Sequence, residues 1–346
     1  VLIGMEPTGH YWRKIAFFAM DKNHEVRFIR TTALKHQREL DESSSAKNDM
    51  RDAYTIGNIV REGKYIDTVI EDGVFRQLRT LAHTRERIQR ISTGAKHALK
   101  GVLEDYFPEL KSIFWSMNAK GLLALLEQCP FPGDVLTIGP DTLTEILAKS
   151  TRRKKKAREK ALMIYEAAGQ SVGLKCIGEA DRHRAALFLS EIRHSEGQLK
   201  EIELRMKTLL QKIPFAEYIL SMPGIGVLTC GVFLGELGDP YNFRDPKQIV
   251  KYAGYDPKEH DSGQSIGRKI ISKKGRWLLR KYLYFMAMRV VHRSPFFKEY
   301  YENKQKTMAK KEALCAVVIK LVKVIFALLR DKRTFTEKQR CLKQAA

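Results

Sequence analysis

The sequence predicts an α/β segment at the N-terminus, a long helical middle and a mostly helical C-terminal third, and three observations carry that division. Residues 1–73 alternate short apolar runs with amphipathic stretches. Residues 74–212 keep their apolar side chains at helical spacing. Residues 213–346 break into short helical runs separated by glycine-containing turns.

In the first segment Val1–Met5 reads as a strand, and Thr8-Gly9 turns into a helix through Tyr11, Trp12 and Ala16. Val26–Ile29 reads as a second strand, Asp41–Ala46 as a polar loop and Asp49–Arg61 as a helix. Val1-Leu2-Ile3-Gly4 has the character of a strand in the middle of a buried layer, so an earlier strand is expected upstream. In the middle, Leu78, Leu81, Ile88 and Ile91, and later Leu187, Ile192, Leu199, Ile202 and Leu209, predict long antiparallel helices forming a coiled-coil arm. Pro130-Phe131-Pro132-Gly133 breaks that pattern, and Arg152–Lys156 is a basic run that suits either a solvated helix face or a phosphate-tracking surface. There is no internal repeat.

Charge narrows the partners. Against 40 Asp and Glu the chain carries 62 Lys and Arg, a formal net charge of +22 with pI near 9.7. A globular chain this basic is expected to meet a polyanion, DNA or RNA first. Between Ser262 and Arg293 stand Arg268, Lys269, Lys273, Lys274, Arg276, Arg280, Lys281, Arg289, Arg293 and His292, with no acidic residue among them. Five scattered cysteines without a C-x-x-C spacing argue for a reducing compartment and against a disulfide framework or zinc site. The most apolar stretch, Leu314–Leu329, is interrupted by Lys320 and Lys323, so an amphipathic helix is expected and not a membrane span. A cytoplasmic, nucleoid-associated protein is the expectation.

Three groups of residues carry candidate chemistry. Pro223-Gly224-Ile225-Gly226 lies between apolar segments in a helix-hairpin-helix pattern; Gly224 and Gly226 would let backbone approach a phosphate beside a helix N-terminus, with an ordinary tight turn between packed helices as the structural alternative. Glu6 follows the first strand, while Asp49 and Asp52 share one helix face, the oxygen donors that hard Mg2+ takes. Pairing of Asp49 with Lys47 or Arg51, and capping of the first helix by Glu6, are the structural alternatives. Ser262 lies in His260-Asp261-Ser262-Gly263, a turn that is either an ordinary loop or a hydroxyl presented for attack.

Together these elements resemble the DEDD-type insertion-sequence transposases, mobile-element recombinases guided by a bridge RNA. Met5–Trp12 is similar to the family's Glu-x-Thr-Gly motif and Lys47–Ala53 to its Asp-x-x-Asp-Ala motif. Pro223–Gly226, Glu236–Asp239, Phe243, Tyr252-Ala253-Gly254, Pro257, Ser262-Gly263, Ser272–Gly275 and Leu279-Arg280 follow in family order and near family spacing. The resemblance implies an RNase H/RuvC-like domain over 1–73, a helical region over 74–212 and a C-terminal transposase domain over 213–346. It implies Mg2+ on Glu6, Asp49 and Asp52, with the first family aspartate upstream of Val1, so that the chain as written is expected to hold metal poorly. It further implies Ser262 as nucleophile forming a phosphoserine, and nucleic-acid contacts by Gly224, Gly226, Arg268, Lys269, Lys273, Lys274, Arg276 and Arg280. Donor and target DNA, a structured guide RNA and a dimeric or tetrameric assembly would be the partners. A metal nuclease using water, or a non-catalytic nucleic-acid scaffold, are the competing readings.

Overall fold

The computed structural model describes residues 1–7, 11–41, 49–65, 73–150, 154–258 and 270–337, and the chain divides into two compact units, Val1–Glu71 and Asp72–Ala346. The first unit runs β1 (Leu2–Met5), α1 (Tyr11–Asp21), β2 (Glu25–Phe28), α2 (Thr31–Asp41) and α3 (Asp49–Arg61). β1 and β2 pair in parallel, Leu2 opposite Glu25 and Met5 opposite Phe28. Strand alternation turns Ile3, Met5, Val26 and Phe28 toward Trp12, Ala16 and Ala19 of α1, with the Trp12 ring edge-on to Phe28 at 4.7 Å. The other face takes α3. Gly4 lets it come close: a Cβ there would lie 2.4 Å from Val60 Cγ2 and 3.0 Å from Ile56 Cγ2. Helix α2 was not expected. Its only apolar residues are Ala33, Leu34 and Leu40, too few to show a period, and Leu34 anchors it against Ile29 and Ile59.

Among its described residues the second unit is built of helices and their connecting turns, with one short antiparallel ribbon. It contains α4 (Gly73–Tyr106), α5 (Leu110–Ile113), α6 (Lys120–Leu126), α7 (Pro132–Ala148), α8 (Lys154–Gly169) and α9 (Glu179–Leu210). These are followed by α10 (Ala216–Leu220), α11 (Val227–Leu237), a 3-10 turn (Pro240–Asn242), α12 (Pro246–Ala253), β3 (Pro257–Lys258) and β4 (Ile270–Ile271). The last helices are α13 (Trp277–Arg293), α14 (Pro295–Gln305) and α15 (Lys310–Arg330).

The long helices α4 and α9 lie antiparallel and feed two large cores and a small cluster of Val102, Tyr106, Phe131 and Ala185. One core joins Leu78, Ala82 and Ile88 of α4 and Ile202, Met206 and Leu209 of α9 to α10–α15. The other joins Ala95, Leu99 and Leu103 of α4 and Leu189 and Ile192 of α9 to α5–α8. Two residues expected on the apolar stripes are instead exposed, Ile91 (43%) and Leu187 (54%). The buried seam passes through Ser92 and Ser195, whose small side chains suit close helix approach, so the apolar pattern alone misplaces the stripe there. Helix α15 packs against α10, α12, α13 and α14, with Val317, Val318, Leu321 and Ile325 fully buried. Lys320 is half-buried on it, and its pKa is lowered by burial and then by Lys323. Among the described residues no helix is long and apolar enough to cross a membrane.

Candidate active site and nucleic-acid interface

In the first unit Glu6 follows β1 half-buried, and Asp49 and Asp52 fall in the first turn of α3, the helix that packs on β1. The side chain of Asp49 lies outside the described residues. Asp52 faces Arg38 of α2, Oδ2 to Nη2 at 2.6 Å, with the carboxylate 18% exposed. The sequence offers structural pairings for Asp49, with Lys47 or Arg51, and none for Asp52, since α2 carries no pattern that announces it. Among the described residues no three acidic, His or Cys groups come together as a metal site. The donors are of the right kind, hard carboxylate oxygens, and in this structure the Asp52 carboxylate is paired with the Arg38 guanidinium.

In the second unit Pro223–Gly226 joins α10 to α11. Gly224 has φ +89°, and a Cβ there would lie 2.9 Å from the Arg289 carbonyl oxygen of α13. Contact with α13 therefore demands this glycine, a reason internal to the fold. Gly226 is exposed with open space around it, and Thr229 Oγ1 accepts its N–H at 3.1 Å while donating to its carbonyl at 3.0 Å. The hairpin is thus braced by Thr229 and presents Gly226 outward.

Ser262, Arg268 and Lys269 lie outside the described residues, in the interval 259–269 between β3 and β4. What the structure describes is how the two ends of that interval are fastened. β3 and β4 pair antiparallel, Lys258 opposite Ile270. Below them Ser272 N–H donates to the Asp256 carbonyl at 2.8 Å, Lys273 N–H to Gly254 at 3.1 Å and Arg276 N–H to Tyr252 at 3.0 Å. The Ser272 hydroxyl is buried and donates to the Asp256 carboxylate. Gly275, at φ +152°, makes the crossing of the two segments possible, since a Cβ would lie 2.4 Å from the Tyr252 carbonyl oxygen. Gly275→Ala is expected to cost about 1–3 kcal/mol through this conformation alone. The measurement is the urea midpoint of the second unit; an unchanged midpoint would show that the crossing is not tight.

The predicted cations divide into two kinds. Lys273 and Lys274 are exposed, and Lys273 holds a left-handed backbone (φ +53°) that lysine rarely adopts. Arg276 donates to the Glu236 carbonyl at 2.7 Å and lies 4.8 Å from the Tyr252 ring; Arg280 donates to the Ala253 carbonyl at 3.0 Å. Both arginines therefore brace the segment that ends β3 and β4, whatever else they contact.

A buried carboxylate lies beside this brace. Glu236, 2% exposed at the end of α11, bonds His83 Nε2 at 2.7 Å and has Arg79 Nε at 3.5 Å, both from α4. Burial by itself would raise its pKa; the His83 hydrogen bond and the charges of Arg79 and Arg276 outweigh that and lower it. A lone acid in the apolar run Val227–Leu237 is a signal of a buried charge, though the sequence cannot say that its partners lie some 150 residues earlier.

A model described as the transposase IS116/IS110/IS902 family matches residues 216–302, and the DEDD transposase model of the IS110 type matches residues 1–108. The chain is similar to an uncharacterized 43.6 kDa protein of insertion element IS110 from Streptomyces coelicolor, 25% identical over 90% of this chain and 78% of that one. An uncharacterized 44.8 kDa protein of insertion element IS116 from Streptomyces clavuligerus is 27% identical over 75% of this chain and 65% of its own. The pilin gene-inverting protein of Moraxella lacunata is 30% identical over 42% of this chain and 48% of its own.

Proposed function

Because the chain belongs to the DEDD-type insertion-sequence transposases, we propose that it breaks and rejoins DNA strands through Ser262, with carboxylates of its first unit assisting. The observation that carries this reading is the fastened crossing of residues 252–256 with 272–276, which anchors both ends of the Ser262 segment beside exposed Lys273 and Lys274. That segment also falls inside the matched residues 216–302.

The chemistry balances without an external energy source. The Ser262 hydroxyl attacks a backbone phosphorus, a P–O bond to a deoxyribose oxygen breaks, the serine proton leaves to a base and the freed sugar oxygen takes up a proton. The phosphoserine keeps the phosphoryl group activated, so a second DNA hydroxyl displaces the serine by the reverse proton traffic. Glu6, Asp49 and Asp52 would hold a divalent ion, Mg2+ by the nature of their oxygens, and when bound it neutralises charge on the phosphoryl group. The RuvC-like reading of the first unit rests on its parallel β1–α1–β2 arrangement with helices on both faces. A guide RNA would select donor and target by pairing, leaving the protein to hold backbone and shape. Two or four copies would assemble the acidic and serine-bearing parts. A relative named for inverting a pilin gene fits such strand exchange.

The test is to incubate the full chain with its flanking RNA, DNA carrying the element's ends and Mg2+, then denature and look for DNA-linked protein. Trypsin should place the linkage in residues 259–268, where fragmentation separates Ser262 from Ser265. Cleavage without an adduct would replace this reading with a water-using nuclease; binding without cleavage would leave a scaffold.

A further inference from the structure

The cation-rich surface continues beyond the residues assigned above. From Arg76 to Lys100, α4 carries seven Lys or Arg residues and two His against one acid, Glu86. That acid is 6% exposed and already bonded to Lys281 of α13. Helix α13 carries no acid at all. Where the two helices meet, Trp277 opens α13 with its side chain 42% exposed, while Leu278 and Leu279 behind it are fully buried. The Arg90 guanidinium lies over the indole at 5.4 Å, and the His83 ring meets it edge-on at 6.3 Å. The exposed side chains of Lys273 and Lys274 precede it.

We infer that Trp277, set between Arg90 and His83 of α4, is a stacking platform for an unpaired nucleotide of single-stranded nucleic acid, whose phosphates lie on Arg90, Lys273 and Lys274. A single exposed aromatic needs no explanation in general. This one has the Arg90 guanidinium over its face and His83 at its edge, and the acids beside it, Glu236 and Glu86, are buried and engaged by His83 and Lys281. An indole beneath a guanidinium offers flat, polarisable surface that every base can stack on, and the surrounding cations track the backbone. A duplex keeps its bases stacked on one another and leaves the indole nothing to cover, so the surface fits a strand that is open. Lys273 supports the same conclusion. Its left-handed backbone (φ +53°) is one that glycine would take without cost, yet a cation stands there. The inference rests on the nucleic-acid reading of the chain but not on Ser262.

The chain has three tryptophans, Trp12, Trp115 and Trp277, so a Trp12→Phe, Trp115→Phe background leaves Trp277 as the only indole reporter. Oligonucleotides of about 12 residues, the scale of a single-strand site, would be titrated as single-stranded DNA, single-stranded RNA and duplex DNA of one sequence. Either single strand is expected to quench Trp277 emission, and the tighter of the two identifies the source of the strand. In the otherwise native chain, Trp277→Ala should weaken single-strand binding about tenfold or more, the scale of losing one stacked base, with duplex affinity unchanged. Trp277→Phe should restore most of it, and Arg90→Gln should lower the slope of affinity against salt by about one phosphate contact. Salt-dependent binding with silent Trp277 emission, or equal loss for duplex and single strand in Trp277→Ala, would overturn the platform and leave the proposed reaction standing. Failure to bind any of the three nucleic acids would overturn both.

Discussion

Ser262→Ala is expected to bring strand exchange and covalent adduct formation to background while oligonucleotide binding stays at the native level. The hydroxyl is the group that forms the bond to phosphorus, and no rotamer of alanine replaces it. Binding survives because it is distributed over many cations outside the 259–269 interval, among them Lys273 and Lys274. The decisive measurement pairs the two readouts on one preparation: adduct on a denaturing gel and affinity at two salt concentrations. Recombination retained in the alanine variant would end the serine mechanism. Loss of adduct together with loss of binding would point instead to a collapsed segment, and Ser262→Cys then separates the cases, since a thiol keeps the side chain's shape and fills the same space.

Glu236→Leu is expected to destabilise the second unit by about 3–5 kcal/mol, the usual consequence of removing one partner from a buried charged network. His83 and Arg79 would lose their acceptor. The effect has a pH signature. The folded pKa of Glu236 is depressed, so its stabilisation is complete above the ordinary value of 4.5 and is lost as pH falls through the lower folded value. Urea midpoints measured at neutral pH and on the acid side of 4.5 should therefore converge between native chain and variant. A gap of constant size would show that the carboxylate titrates alike in the folded and unfolded chain, and a gap that widened in acid would show that it is held neutral in the folded state. Glu236→Gln, which keeps the shape and one acceptor oxygen, should lose less.

Much of the first unit was legible because its elements announce themselves locally. The strand before Glu6, the helix through Tyr11 and the helix Asp49–Arg61 each carry a period or a turn signal. Helix α2 was not legible, and with it went the Arg38–Asp52 pair, the contact that most changes how the acidic residues are read. In the second unit, helical spacing foretold α4 and α9 but could not reveal that the seam takes in Ser92 and Ser195 while Ile91 and Leu187 face out. Small polar residues are buried there by the approach of the helices, a tertiary fact. The glycines tell a similar story. Sequence marked Gly224 for phosphate and Gly275 only as part of a family motif, whereas each is required by a backbone contact, to Arg289 and to Tyr252. The buried Glu236 cluster depends on a partner helix more than 150 residues away, which no local pattern encodes.

The antiparallel α4 and α9, 34 and 32 residues long, also act as a ruler. Each helix gains about 1.5 Å per residue, so α4 extends over roughly 50 Å, and both large cores of the second unit are strung along that one length. Because each core draws on both helices, a residue added to one alone would shift every facing pair beyond the insertion and turn buried side chains out of the seam. Change in the spacing between the cores is therefore open only to matched insertions of whole turns in both helices, about seven residues apiece to keep the same face inward.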